Sequence, residues 1–227
     1  MKNLYKAALL VALGLGGVAT TQAQTAYNSD LIIGFTSTTG SDTMFDLGSA
    51  SSLVNGETWN LDSLISGYTL SSVDWGVIGT TTSGHNSYLT FNPSFGTPPA
   101  VDSQGNWTPI KTAVATLYDN FATAGAGESA TVLASASDSW NAETLNPTLG
   151  TDYINENANP NVEGETSAYF YEQADNGSTP TALGTFSLAS DGVVTFDVPE
   201  PATYGLLAGG GLLLFSFRHQ LRRNKLD

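Results

Sequence analysis

The sequence predicts an α+β domain that is mostly β. The expected body is a sandwich-like antiparallel sheet with one or two short helices. An N-terminal signal peptide and a C-terminal transmembrane helix are expected to flank it. Three observations carry this expectation. Short runs of β-branched and aromatic residues recur along the chain, separated by Gly, Ser, Asn and Asp clusters. One long stretch alone repeats its apolar residues with a helical period. The chain has 227 residues, 24 glycines and no cysteine. Its Thr, Ser, Gly and Asn content suits strands and turns.

The elements follow in order. Residues 30–35, DLIIGF, read as a buried strand. Residues 43–47 form a second, after a turn-like TGSD. Asn60 is placed to cap a short helix over 61–66 that Gly67 ends. Residues 72–79 and 87–91 read as two further strands, and a Pro/Gly-rich loop follows over 92–108. The main helix is expected over 109–122, with Thr108 at its N-cap and Pro109 at its first position. Ile110, Val114, Leu117, Tyr118 and Phe121 then share one face. Gly125 and Gly127 end this stretch, and 130–134 is another strand. Residues 140–165, polar and Asn-rich, read as a long surface loop. A strand over 166–172 precedes a hairpin of 182–188 with 193–198, turning at Ser190, Asp191 and Gly192.

The two ends are different in kind. Lys2 and Lys6 precede an apolar stretch over 7–18, and Thr21, Gln22 and Ala23 follow. This is the pattern of a secretory signal peptide, residues 1–23, cut after Ala23. At the other end Pro199, Glu200 and Pro201 stand before an uncharged run over 204–217. Arg218, Arg222, Arg223 and Lys225 make a basic tail over 218–225. As a helix the 14-residue run spans about 21 Å, short for a hydrocarbon core of about 30 Å. Gly209, Gly210 and Gly211 weaken it further, as suits a temporary anchor. The basic tail should stay cytoplasmic and leave the body on the outer side of the membrane. Pro199 and Pro201 keep Glu200 extended and within an enzyme's reach. The chain thus divides into 1–23, an exported β-rich domain over 24–198, and 199–227.

The triplet Pro199, Glu200 and Pro201, the Gly/Leu-rich run and the Arg-rich end together resemble the PEP-CTERM sorting signal of Gram-negative bacteria. The resemblance covers about an eighth of the chain. It implies that an exosortase, a membrane-embedded cysteine transpeptidase-like enzyme, recognises and removes the tail. The membrane is then a transient anchor, and the cargo ends at the cell surface or in the extracellular matrix. The segments DLIIGF, MFDLG, VDWGVIGT and LGTFSLASDGVVTF are also similar to cargo domains that precede such signals, which have few assigned activities.

Composition narrows the role of the body. Residues 24–198 carry nineteen carboxylates and one cation, Lys111, a formal charge of −18. Nucleic acid, whose phosphates need Lys and Arg, is an unsuitable partner. An anionic lipid surface is equally unsuitable. The lack of cysteine excludes disulfides, zinc thiolate sites and Cys nucleophiles. No calcium-binding loop pattern occurs, and no metal or cofactor is expected. His85 is the one histidine of this segment, and no G-x-S-x-G elbow accompanies it. His85 and Lys111 therefore read as a loop residue and a solvated charge. No catalytic residue is nominated, and the body is expected not to be an enzyme. Trp75 falls in an apolar strand and reads as core, whereas Trp107 and Trp140 fall in expected loops. Those two are the candidates for stacking on sugar rings, the basis of an alternative role as a carbohydrate-binding module on matrix polysaccharide.

Overall fold

The computed structural model describes residues 30–37, 40–81, 85–92, 104–122, 125–145, 160–174 and 178–198. The expected signal peptide and the tail from Pro199 onward lie outside these residues. Ten strands are described: β1 (Asp30–Thr36), β2 (Ser41–Ser49), β3 (Glu57–Asn60), β4 (Asp74–Thr80), β5 (Asn86–Phe91), β6 (Ser129–Leu133), β7 (Val162–Glu163), β8 (Ser167–Ala174), β9 (Thr181–Leu188) and β10 (Val193–Asp197). Three helices accompany them: α1 (Asp62–Ile65), α2 (Gln104–Tyr118) and α3 (Trp140–Thr144). Every described strand pairing is antiparallel. None of the described helices is long and apolar enough to cross a membrane.

The expectation of a mostly β antiparallel fold holds. The strands form one continuous sheet in the order β3-β10-β9-β8-β5-β4-β1-β2-β6, with β7 beside β4. The sheet curls. Leu31, Ile33 and Leu47 from one half share a buried cluster with Phe170, Phe186 and Val194 from the other. A twisted sheet of this many strands curls because each strand turns relative to its neighbour by roughly 20–25°.

Alternation assigns each side chain to a face. In β1, Leu31, Ile33 and Phe35 enter the inner cluster, while Ile32 faces the helices. In β4, Trp75 and Val77 point inward and Ile78 outward. The outer side is covered by α2, whose Ile110, Val114, Leu117 and Tyr118 are buried against Ile32, Met44, Ile78 and Leu89. Each such fully buried aliphatic or aromatic side chain contributes roughly 1.5–3 kcal/mol. The predicted apolar face of this helix is therefore the observed one.

The helix bounds differ from expectation. α2 begins at Gln104, so Pro109 lies inside it and Thr108 is not its N-cap. An interior proline removes one i→i−4 hydrogen bond and crowds the carbonyl four residues before it, so Pro109 weakens α2 locally without ending it. The end comes at Tyr118, where the Asn120 side-chain amide donates to Leu117 O at 3.3 Å and Asp138 O at 2.7 Å. The short helix α1 is present, and Asn60 Oδ1 accepts from Asp62 N at 3.1 Å, one residue inside the expected start. The hairpin of β9 and β10 closes as expected, with Gly192 at φ 78° and its N–H donating to Ala189 O at 3.0 Å.

The largest departure is at 140–165, expected to be an exposed loop. Its start is α3, in which all five residues are buried. Ser139 Oγ caps it, accepting from Ala142 N at 3.0 Å. The Trp140 indole lies over Gly34 of β1, where a Cβ would run into the ring. Its Nε1 donates to Asn161 Oδ1 at 2.7 Å. Asn161 Nδ2 donates in turn to Thr144 Oγ1 at 3.0 Å, which closes the segment onto α3.

Candidate functional site

The sorting residues named from the sequence, Pro199, Glu200, Pro201, Arg218, Arg222, Arg223 and Lys225, lie outside the described residues, as does Ala23. The structure does define what they are attached to. β10 is an interior strand, paired with β9 on one side and β3 on the other. Gly56 N donates to Phe196 O at 2.8 Å, and Val198 N donates to Asn55 Oδ1 at 2.8 Å. The backbone is thus hydrogen-bonded to the body as far as the residue before Pro199. No spacer separates the fold from the triplet.

The exit point carries its own surface. Phe91, Tyr169, Thr185 and Asp197 align across β5, β8, β9 and β10, each paired with the next. The next row toward the strand ends holds Leu89, Tyr171 and Ala182. These rows face away from the inner cluster. Together with Gly184 and Val198, Tyr169, Tyr171, Ala182, Thr185 and Asp197 line an open groove of about 340 Å³. Tyr169 is 44% exposed and Val198 42%, two of four large apolar residues so exposed among the described ones. The Tyr169 ring meets the buried Tyr171 ring edge-on, with centroids 6.5 Å apart.

A second polar cluster lies near α2. The Tyr118 hydroxyl stands 3.2 Å from Asp30 Oδ2 and 3.1 Å from Asp46 Oδ2. Burial, followed by the Asp46 charge, pushes the Asp30 carboxyl up. Burial also pushes Asp46 up, against the Gly48 N–H that donates to its Oδ1 at 2.7 Å. The Tyr118 hydroxyl is pushed up by burial and then by the Asp46 charge. One phenolic proton faces two carboxylates, and the Asp46 charge adds to burial in favouring the protonated form of Asp30. Asp42 is enclosed beneath α3, its Oδ2 accepting from Asn141 N at 2.6 Å, and burial pushes its carboxyl up as well.

Comparison with known proteins decides what the tail is. The family model for the PEP-CTERM protein-sorting motif matches residues 197–223. The chain carries a PEP-CTERM protein-sorting motif at 197–223. No curated protein and no solved structure matches it. A motif of this family implies exosortase recognition, export and a membrane-anchored precursor for a PEP-CTERM protein. The match begins at Asp197, inside β10, so the sorting motif and the folded body overlap by two residues.

Trp140, named for sugar stacking, is fully enclosed under α3, because Gly34 leaves room for its indole and Asn161 satisfies its N–H. Trp107 belongs to α2, and its side chain lies outside the described residues. Trp75 is core as expected, its Nε1 donating to Glu165 O at 2.9 Å. His85 sits just before β5 at φ 55°, and Lys111 is on α2. Among the described residues no group of three His, Asp or Glu is placed to hold a metal ion. Sequence reasoning does not find the groove at the exit. Its signal is present as parity, since Tyr169 and Tyr171 alternate with the inward Phe170.

Proposed function

We propose that this chain is an exported cargo protein whose body works at the cell surface or in the extracellular matrix without catalysis. Residues 1–23 direct secretion, and the 204–217 run holds the precursor in the membrane until an exosortase removes the tail. One observation carries this reading: the sorting motif matched at 197–223 joins a body hydrogen-bonded through Val198. The formal charge of −18 over residues 24–198 supports it, since it keeps such a protein soluble and apart from anionic lipid.

The competing role, a carbohydrate-binding module, rests on Trp107 and Trp140. With Trp140 enclosed, Tyr169 is the one aromatic ring among the large exposed apolar side chains described. Trp107, whose side chain lies outside the described residues, is the remaining stacking candidate, and the cargo reading is preferred because the matched sorting motif supports it.

The test is replacement of Pro199, Glu200 and Pro201 together by alanine in the native host. Full-length protein should accumulate in the membrane fraction, with no shortened form released. If the altered chain is still shortened and released at the normal rate, the reading is wrong.

A further inference from the structure

We infer that the groove over β8, β9 and β10 is a docking surface for the outward face of the membrane enzyme that processes the tail, an inference that rests on the sorting reading above. The first argument is reach. The body is fixed through Val198, and a chain extends at most about 3.3–3.6 Å per residue. Glu200 can therefore stand no more than about 7 Å beyond Val198. Tyr204, where the apolar run starts, is at most about 22 Å away. An enzyme that closes on Pro199, Glu200 and Pro201 must come up against the surface from which they leave.

That surface is suited to contact. Asp197 and Val198 form one wall of the groove and are also the start of the matched motif. Tyr169 and Val198 present apolar area, Thr185 a hydroxyl, and Asp197 an exposed carboxylate at the rim. The complementary partner carries an apolar projection edged by a Lys or Arg. Interfaces are anchored by such partly buried aromatics with a polar rim. Lipid headgroups are a poorer occupant, because the body carries −18 and anionic membranes repel it. Docking also explains a motif joined without a spacer. A rigid attachment holds the scissile region at one distance from the docking surface, which raises its effective concentration at the enzyme.

The experiment follows processing of the full chain in the native host by pulse-chase, scoring shortened against full-length protein. Tyr169→Glu and, as a second lesion on an exposed groove residue, Ala182→Glu are compared with Leu133→Glu. Leu133 is 64% exposed on β6, the far edge of the sheet. A fourth chain carries a flexible Gly/Ser insertion between Val198 and Pro199. Both groove variants should slow processing about tenfold, the size of one lost interface anchor, whereas Leu133→Glu should match the wild type. The insertion should slow processing too, and Tyr169→Glu should add nothing in that background. Wild-type rates for both groove variants, or equal slowing by Leu133→Glu, would overturn the inference. The alanine triplet serves as the independent control: if it is still processed, the sorting reading fails whatever the groove variants do.

Discussion

Trp140→Ala is expected to cost the body about 4 kcal/mol. The indole is fully buried, and removing so large a buried ring typically costs about 3–5 kcal/mol. It also removes a buried hydrogen bond at 2.7 Å to Asn161, which ties the start of β7 to α3. Domains of this kind have about 5–15 kcal/mol in total, so the variant should be marginal. Urea unfolding of residues 24–198 should show the midpoint falling by about 1–2 M. The partner of this prediction is Gly34→Ala. In the native protein the new methyl group runs into the indole, and overpacking of this kind costs about 1–3 kcal/mol. In a Trp140→Ala background the space is open, and the same substitution should cost almost nothing. Additive losses in the double variant would show that the indole does not lie on Gly34.

The second large effect is on pH. Asp30, Asp42 and Asp46 all have carboxyls pushed up, first of all by burial. Asp74 is pushed up in the same way, with the Glu163 charge adding to burial. A carboxyl with a raised folded value binds its proton more tightly in the native state than in the unfolded one. Stability therefore increases as pH falls through the folded values toward the ordinary Asp value near 4, and levels off below it. A tenfold tighter hold on one such proton in the folded chain corresponds to about 1.4 kcal/mol. A change of 1 kcal/mol is about 2–4 °C in a domain of this size. Thermal unfolding of residues 24–198 should thus show Tm rising as the pH is lowered toward about 4. Relief of the body's self-repulsion acts in the same direction. Asp30→Asn keeps an amide oxygen as acceptor for Tyr118 and removes one charge from the pair. It should raise Tm at neutral pH and flatten the profile. A Tm that falls steadily as the pH is lowered toward about 4 would be incompatible with buried carboxyls whose values are raised in the fold.

Much of the fold is legible in the sequence because periodicity survives in single strands and in one long helix. β1 and β4 alternate strictly, and Ile110, Val114, Leu117 and Tyr118 repeat at helical spacing. Each is a local pattern fixed by which face meets the core. What is not legible depends on distant partners. α3 has five residues, too few to show a period, and its burial depends on Gly34, Asp42 and Asn161. Nothing in an Asn-rich stretch signals that a tryptophan in it will cover a glycine about a hundred residues earlier. The same holds for Tyr118. Spacing alone puts it on the apolar face, but the two aspartates at its hydroxyl come from β1 and β2.

The candidate site divides along the same line. The sorting motif is a contiguous signal, readable because its recognition requires sequence neighbours. The groove beside it is assembled by strand register, since Tyr169, Thr185 and Asp197 meet only through the pairing of β8, β9 and β10. The tail and the body join within β10, so one surface serves both the end of the fold and the start of the signal.

Whether the chain travels this route is decided by the intact mass of the mature protein recovered from its native host. The mass should be that of a chain that begins at Gln24 and has lost the apolar run and basic tail beyond the Pro199–Glu200–Pro201 triplet, together with any group added in processing. A released protein whose mass still includes residues 204–225 would rule out removal of the tail.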